Sequence, residues 1–181
     1  PLKVQLLAES KRGSVRSELL LETFFEQEEA HGGSDAGHLM DAFLQRSEFD
    51  STYMNPVEQL ANLKAQMMAD PDLVYVSRAY TFTEGLLEDE IQCQSSTMLI
   101  SLAWLQQKTT QWSGGPRPVF VMSPNHVQPG LLYEGALHLM EGTSRGNRVS
   151  VLNLAELGNV RILDAKDALT WSLLRDDTPD L

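Results

Sequence analysis

Residues 112–118, WSGGPRP, mark the point at which the hydrophobic pattern of this chain changes. Before Trp112, apolar residues recur three and four positions apart, as they do on one face of an amphipathic helix. After Pro118, short runs rich in β-branched and aromatic residues alternate with turn residues: PVFVM, LLYEGALHLM, RVSVLNL, NVRIL and LTWSLL. The sequence therefore predicts an α+β fold, with a helical part over residues 1–112, a β part over residues 113–181, and one core shared between them.

The helical part is predicted to contain four to five helices. In SELLLETFFEQEEA the apolar residues share one helical face, and four glutamates are expected to face elsewhere: Glu22, Glu26, Glu28 and Glu29. A second helix is expected from Asp35 to about Gln45. A third is expected after Asn55, which can cap it, with Pro56 at its first position.

Two further segments of the helical part are harder to assign. Residues 73–80, LVYVSRAY, have the β-branched and aromatic content of a strand, but their amphipathic neighbourhood favours a helix, which we expect. The longest helical pattern runs from about Thr83 to Gln111 and predicts one long central helix. Within it, the polar run QSST at 94–97 is expected to let another backbone approach closely, or else to line a polar pocket.

The β part is predicted to form four to five antiparallel strands, arranged as a meander or as a small SH3-like barrel. SRGN at 144–147 and LGN at 157–159 are the best turns, because Gly and Asn tolerate positive φ. LLYEGALHLM carries apolar residues on both of its faces, which indicates a strand covered on both sides. The preceding helices are the expected cover.

The charge of the chain excludes several classes of partner. Its formal net charge is −11, so it repels phosphate backbones and anionic lipid, and nucleic-acid binding is disfavoured. Residues 1–112 hold eight basic and seventeen acidic side chains, against six and eight in residues 113–181. The acidity therefore belongs to the helices, and the expected partner is another protein, with a basic or an apolar surface.

Cysteine content and hydropathy bear on the compartment. The chain contains one cysteine, Cys93, so it cannot form an internal disulfide, which is typical of a reducing compartment. No stretch approaches the roughly 20 apolar residues that a membrane helix needs. We therefore expect a cytoplasmic protein without a membrane partner.

The stretch HGGSDAGH, residues 31–38, is the first candidate for a functional site. Neutral imidazole is a good ligand for zinc or iron, and His31, Asp35 and His38 are the residues that would hold a divalent metal. Asp41 lies one helical turn beyond His38 and could join them. The spacing matches no established metal motif such as HExxH.

The same stretch also has a structural interpretation, which we favour. Gly32 and Gly33 would end one helix, and Ser34 would cap the next. Asp35, in the first turn of that next helix, would interact favourably with the helix dipole. On this interpretation the stretch is a joint between two helices.

Three arginines form the second candidate site. Arg145 and Arg148 flank the SRGN turn, and Arg161 lies on the following predicted strand. If the sheet brings them together, they form a positive patch that could bind a phosphate, a carboxylate or a partner. Pairing with the acidic helices of the same chain is the interpretation we favour.

The remaining reactive residues are expected to be structural. Cys93 falls inside the predicted long helix, where a small buried thiol is the usual outcome. His126 falls in the turn-rich loop SPNHVQPG, and His138 falls within a strand, where we expect it to be hydrogen-bonded.

Missing motifs leave two functional hypotheses. The chain has no GxGxxG, P-loop, GxSxG elbow, CxxC pair or EF-hand loop. The sequence therefore favours a non-enzymatic protein–protein interaction module without a cofactor: an accessory, adaptor or regulatory protein with an acidic helical face, whose β part could serve as the interface of a homo-oligomer. The alternative is a small metal-dependent enzyme or ligand-binding protein with its site around His31, Asp35 and His38.

Overall fold

The computed structural model of this chain describes residues 1–32, 35–46, 55–69, 72–76, 82–87, 90–107, 115–140, 149–152 and 158–175. Its helices are α1 (Leu2–Lys11), α2 (Ser17–Gly32), α3 (Ala36–Arg46), α4 (Pro56–Met67), α5 (Phe82–Leu87), α6 (Cys93–Gln107) and α7 (Ala165–Arg175). Six of these helices precede an antiparallel sheet of five strands, so the α+β prediction is confirmed.

The strands form two sheets. A small parallel sheet joins β1 (Val74–Tyr75) to β2 (Glu90–Ile91). The large antiparallel sheet contains β3 (Arg117–Ser123), β4 (His126–Tyr133), β5 (Ala136–Met140), β6 (Val149–Leu152) and β7 (Arg161–Asp164). Its strand order is β6-β5-β4-β3-β7: four strands form a meander, and the fifth returns to lie beside β3. The sheet is open, so of the two predicted arrangements the meander is confirmed and the closed SH3-like barrel is wrong.

The helix that begins at Pro56 follows its sequence signals closely. The side chain of Asn55 accepts hydrogen bonds from the backbone N–H groups of Val57 and Glu58, and the Glu58 carboxylate accepts from the backbone N–H of Asn55. This reciprocal capping box satisfies donors that the first turn would leave unpaired. Proline at the first helical position adds a preset φ. The predicted cap is confirmed.

The stretch LLYEGALHLM proves to be a hairpin rather than a single strand. Glu134 and Gly135 form its turn with φ values of 50° and 76°, and Tyr133 pairs with Ala136 across it. Residues of the hairpin are buried on both faces of the sheet. Leu131 and Met140 join the large core with the helices, whereas Leu137 packs with Val119 and Val121 in a second, smaller cluster.

Helix α6 covers the helical side of the sheet through small polar residues. Ser96 and Thr97 are completely buried, and Thr97 Oγ1 lies 3.4 Å from the carbonyl oxygen of Val127 in β4. Both hydroxyls also donate to the carbonyl oxygen of Cys93, so their polar groups are satisfied inside the helix. The small side chains in the run QSST therefore let β4 approach α6 closely, which was the favoured of the two interpretations of this run.

Three segments in the helical half differ from expectation. The long helix predicted from Thr83 is interrupted: α5 ends at Leu87, β2 follows, and α6 begins only at Cys93. The apolar spacing is preserved across this break, which is why periodicity alone missed it. LVYVSRAY contains strand β1 rather than a helix, although its residues 77–80 lie outside the described residues. Helix α1 was not predicted.

The last predicted strand is also wrong, because LTWSLL belongs to helix α7. In α7 the buried residues Ala165, Leu169 and Leu173 lie four positions apart, and Ala168 lies three after Ala165, which is a helical period. The β-forming residues Thr170 and Trp171 obscured that period. The α7 helix packs against α1, α2 and β3, so it completes the same core that the first helices begin.

Several predictions fall outside the described residues. They include the SRGN turn, Gly33, Ser34 and the far end of the predicted central helix. The boundary near residue 112 lies there too, so the division of the chain at that point stays a prediction. Among the described helices, none combines the length and the apolar content needed to cross a membrane.

Candidate functional site

His31 lies in the last turn of α2, and its ring is held by the helix itself. Nδ1–H of His31 donates to the carbonyl oxygen of Gln27 at 2.7 Å. Because a carbonyl can only accept, Nδ1 carries a proton; in the neutral form of the ring, Nε2 is then the acceptor. A cation or a donor at the end of a helix interacts favourably with its unpaired carbonyl groups. The His31 contact therefore has a structural role.

Asp35 and His38 are joined by a helix cap rather than through their side chains. Asp35 Oδ1 accepts a hydrogen bond from the backbone N–H of His38 at 2.8 Å. This is the N-cap interaction of α3, which begins at Ala36. The sequence predicts Ser34 as this cap, whereas in the structure the cap is the next residue, Asp35. The side chain of His38 is exposed.

Asp41 does not join the histidines in the structure. Its Oδ1 accepts from Gln106 Nε2 at 2.6 Å, which ties α3 to the end of α6. Within the described ranges, no three or more His, Cys, Asp or Glu side chains come together in an arrangement that could hold a metal ion. A metal bound by His31, Asp35 and His38 therefore stays a prediction.

Of the three arginines in the predicted patch, Arg161 lies among the described residues. Arg161 is exposed on β7, opposite Met122 of β3. Arg145 and Arg148 lie outside the described residues. Their convergence with Arg161 stays a prediction.

The other reactive side chains have different settings from those expected. Cys93 begins α6 instead of lying inside a longer helix, and it is half-buried. His126 is the first residue of β4 and pairs with Ser123. His138 of β5 packs near Tyr133, with ring centroids 6.2 Å apart. Among the described residues, its buried Nδ1 has no hydrogen-bond partner, contrary to the expectation of a hydrogen-bonded histidine.

Helix α2 carries a continuous row of acidic side chains, which we call the acidic stripe: Glu18, Glu22, Glu26 and Glu29. All four are exposed, and their spacing of four, four and three residues places them on one face of the helix. The helix contains no Lys or Arg. The sequence predicted most of this face but missed Glu18, which the same spacing identifies.

Glu28 does not belong to the acidic stripe, contrary to the prediction. Its side chain is only 5% exposed, and its Oε2 accepts a hydrogen bond from Thr83 Oγ1 at 2.8 Å. Thr83 lies in α5 and is itself buried. A buried carboxylate needs such donors, because desolvation without them is costly. Glu28 is thus a link between two helices.

The pKa of Glu9 is displaced from its ordinary value. The backbone N–H of Arg16 and then its guanidinium donate to Glu9, and these hydrogen bonds lower the pKa of Glu9. The distances are 2.9 Å from Arg16 N to Glu9 Oε2 and 2.7 Å from Arg16 Nε to Glu9 Oε1. The pair joins the end of α1 to the start of α2, so its effect is on the fold.

Comparison with known proteins yields no relative. No family model, no curated protein and no solved structure matches this chain. The acidic stripe and the His31–His38 joint are therefore candidates on the strength of their geometry and charge.

Proposed function

We propose that this chain is a non-enzymatic protein–protein interaction module, a cytoplasmic accessory, adaptor or regulatory protein, that binds a basic partner through the acidic stripe of α2. The observation that carries the proposal is the arrangement of Glu18, Glu22, Glu26 and Glu29 in one exposed row of a helix that contains no Lys or Arg. The chain's net charge of −11 adds to the negative field around this row.

The cost of such a row supports a role in binding. Like charges four residues apart on a helix are unfavourable by roughly 0.2–0.5 kcal/mol per pair. Helix α2 tolerates this because its opposite face is buried in the core, through Leu19, Leu20, Leu21 and Phe24. Basic side chains of a partner would relieve the repulsion and would be steered to the stripe by the field.

The test is affinity capture of partners from the native cell with two matched double variants. Glu22→Gln with Glu26→Gln removes two charges from the stripe. Glu134→Gln with Asp167→Asn removes two exposed charges elsewhere, in the β4–β5 turn and at the start of α7. We expect the first variant to lose most of the captured basic partner and the second to retain it.

Salt supplies a second measurement on the same material. A contact steered by exposed charges weakens as ionic strength rises, because the Debye length shrinks from about 10 Å at 0.1 M to about 3 Å at 1 M. Equal capture at low and high salt, or equal capture by both double variants, would refute binding through the acidic stripe.

A metal-dependent enzyme or ligand-binding protein is the second candidate. The observation in its favour is that the hydrogen bond from His31 Nδ1 to the Gln27 carbonyl leaves Nε2 as an acceptor, an arrangement that metal-binding histidines commonly use. Metal analysis of the purified protein tests it, with His31→Ala and His38→Ala as variants. Stoichiometric metal lost in both variants supports this candidate; no bound metal, and no gain in melting temperature on adding zinc, manganese or iron, counts against it.

A further inference from the structure

The two edges of the large sheet differ in how they are protected. Strand β7 carries a charged residue at each end, Arg161 and Asp164, and it runs directly into α7. Charged residues and a covering helix hinder the pairing of an edge strand with another chain. Strand β6 has the sequence VSVL, without a charge or a proline. In the part of the chain that the structure describes, β6 pairs with β5 alone.

Strand β6 also presents an apolar side chain to solvent. Val151 is 63% exposed, and Ser150 beside it is exposed as well. Unpaired N–H and C=O groups on the outer side of an edge strand are a template for one more strand. The edge thus offers backbone pairing and an apolar contact together.

We propose that β6 pairs antiparallel with β6 of a second copy of this chain and joins two five-stranded sheets across a two-fold axis. Such a contact requires a surface that is complementary to itself. An uncharged strand meets this condition, because no like charges are brought together when it faces its own copy.

The distribution of charge selects a second copy over a basic partner at this edge. Two chains of net charge −11 repel each other, but residues 113–181 hold only eight acidic side chains against six basic ones. Copies that meet through β6 therefore add little like-charge repulsion from the contacting strands themselves. A basic peptide would find no carboxylate on β6 to recognise.

This inference is independent of the basic partner proposed for α2, and salt separates the two. Higher ionic strength screens the repulsion between two acidic copies, so it strengthens self-association. The same change weakens a contact between the acidic stripe and a basic partner. The two associations respond in opposite directions.

Sedimentation velocity of the full chain over a range of protein and salt concentrations provides the first test. We expect a dimer whose fraction rises with both concentrations. Val151→Lys should weaken dimerisation by about tenfold or more, since it places like charges near the axis. Leu163→Lys, which alters an exposed apolar residue of the opposite edge, should dimerise like the wild type. Both positions are exposed, and circular dichroism verifies that both variants fold.

Disulfide trapping locates the contact. In a Cys93→Ala background, cysteine replaces Ser150 or Val151, with Leu163→Cys as the matched control. Residues that face each other across an antiparallel pair lie about 4.5–5.5 Å apart, within the range that a disulfide spans. We expect oxidised glutathione to cross-link copies at position 150 or 151, and not at position 163.

Specific results would overturn this proposal. They are a wild type that stays monomeric at every concentration and salt, a Val151→Lys variant that dimerises like the wild type, and a dimer that cross-links at 163 as readily as at 150 and 151. None of them affects capture of a basic partner by the acidic stripe. A failure of that capture would likewise leave the sedimentation result unchanged.

Discussion

Glu28 of α2 and Thr83 of α5 are hydrogen-bonded inside the protein, although they are 55 positions apart in the chain. The hydroxyl of Thr83 donates to Glu28 Oε2 at 2.8 Å, and the backbone N–H of Thr83 donates to the same oxygen at 3.4 Å. Both side chains are buried. One glutamate among several in α2 is therefore a structural anchor, while its neighbour Glu29 is exposed.

Substitution of Glu28 should destabilise the fold. Glu28→Ala leaves the buried donors of Thr83 without this acceptor, and an unsatisfied buried polar group costs about 1–3 kcal/mol. Glu29→Ala, on the exposed face, should stay within about 0.5 kcal/mol of the wild type. The free energy of unfolding in urea measures both variants, and equal values for the two would contradict the role of Glu28 as an anchor.

Substitutions of Asp35 distinguish a role in helix capping from a role in metal binding. Asp35→Ala removes the N-cap of α3 and should lower the free energy of unfolding by about 0.5–2 kcal/mol. Asp35→Asn keeps a capping oxygen and should be close to the wild type, because Asn and Asp cap equally well. Thermal unfolding without metal checks both expectations.

Adding zinc to the same variants tests the other role of Asp35. If Asp35 is a metal ligand, zinc should raise the melting temperature of the wild type, and Asp35→Asn should lose much of that gain. If Asp35 is only a helix cap, zinc should raise the melting temperature of neither protein.

Gly130 lies where the sheet leaves little room for a side chain. A Cβ at this position would come within 3.2 Å of the Cγ2 atoms of Val119 and Val121, and within 3.3 Å of the carbonyl oxygen of His138. Gly130→Ala should therefore destabilise by about 1–3 kcal/mol through overpacking. Gly158→Ala is the control, because a Cβ there meets nothing within 4 Å. Chemical denaturation measures the free energy of unfolding of both variants. Equal values for the two would mean that the sheet relaxes freely at Gly130.

The Glu9–Arg16 pair should make stability depend on pH. The lowered pKa of Glu9 in the folded protein means that its contribution is present above the carboxyl's ordinary pKa and is lost as pH falls through the lowered value. Arg16→Gln removes the guanidinium. The melting-temperature difference between wild type and this variant should be largest near neutral pH and shrink in acid.

A control variant isolates the pH effect of that pair. Arg117→Gln removes from β3 an exposed arginine, which is not among the groups that shift the pKa of Glu9. The melting-temperature difference between Arg117→Gln and the wild type should not change over the pH range in which Glu9 becomes protonated. A pH-independent difference for Arg16→Gln would mean that Arg16 acts through packing alone.

The fold was predictable where local chemistry and tertiary packing agree. Asn55 and Pro56 specify a helix start by themselves, and the structure has it there. The break before Cys93 was not predictable from periodicity, because the apolar spacing continues through β2 into α6. The helical period of α7 is present in Ala165, Leu169 and Leu173, but the strand-forming residues Thr170 and Trp171 favoured the wrong period.

The candidate site was predictable as a helix joint but not in its details. In the sequence, Gly32, Gly33 and Ser34 indicate the end of one helix and the start of the next, whereas only the backbone conformation decides that Asp35 is the cap. Helical spacing gave the acidic stripe. It could not show that Glu28 turns inward, since that depends on Thr83, far away in the sequence.

Strand β7 and helix α7 add a constraint on how this protein is made. The Nζ of Lys166 donates to the carbonyl oxygen of Val15 at 3.3 Å, and α7 packs on both α1 and α2. Strand β7 also completes the sheet beside β3. During synthesis, the surfaces of α1, α2 and β3 that meet these elements stay uncovered until residue 175 has left the ribosome. The core that α7 shares with the first helices can therefore close only after the last described residues have been made.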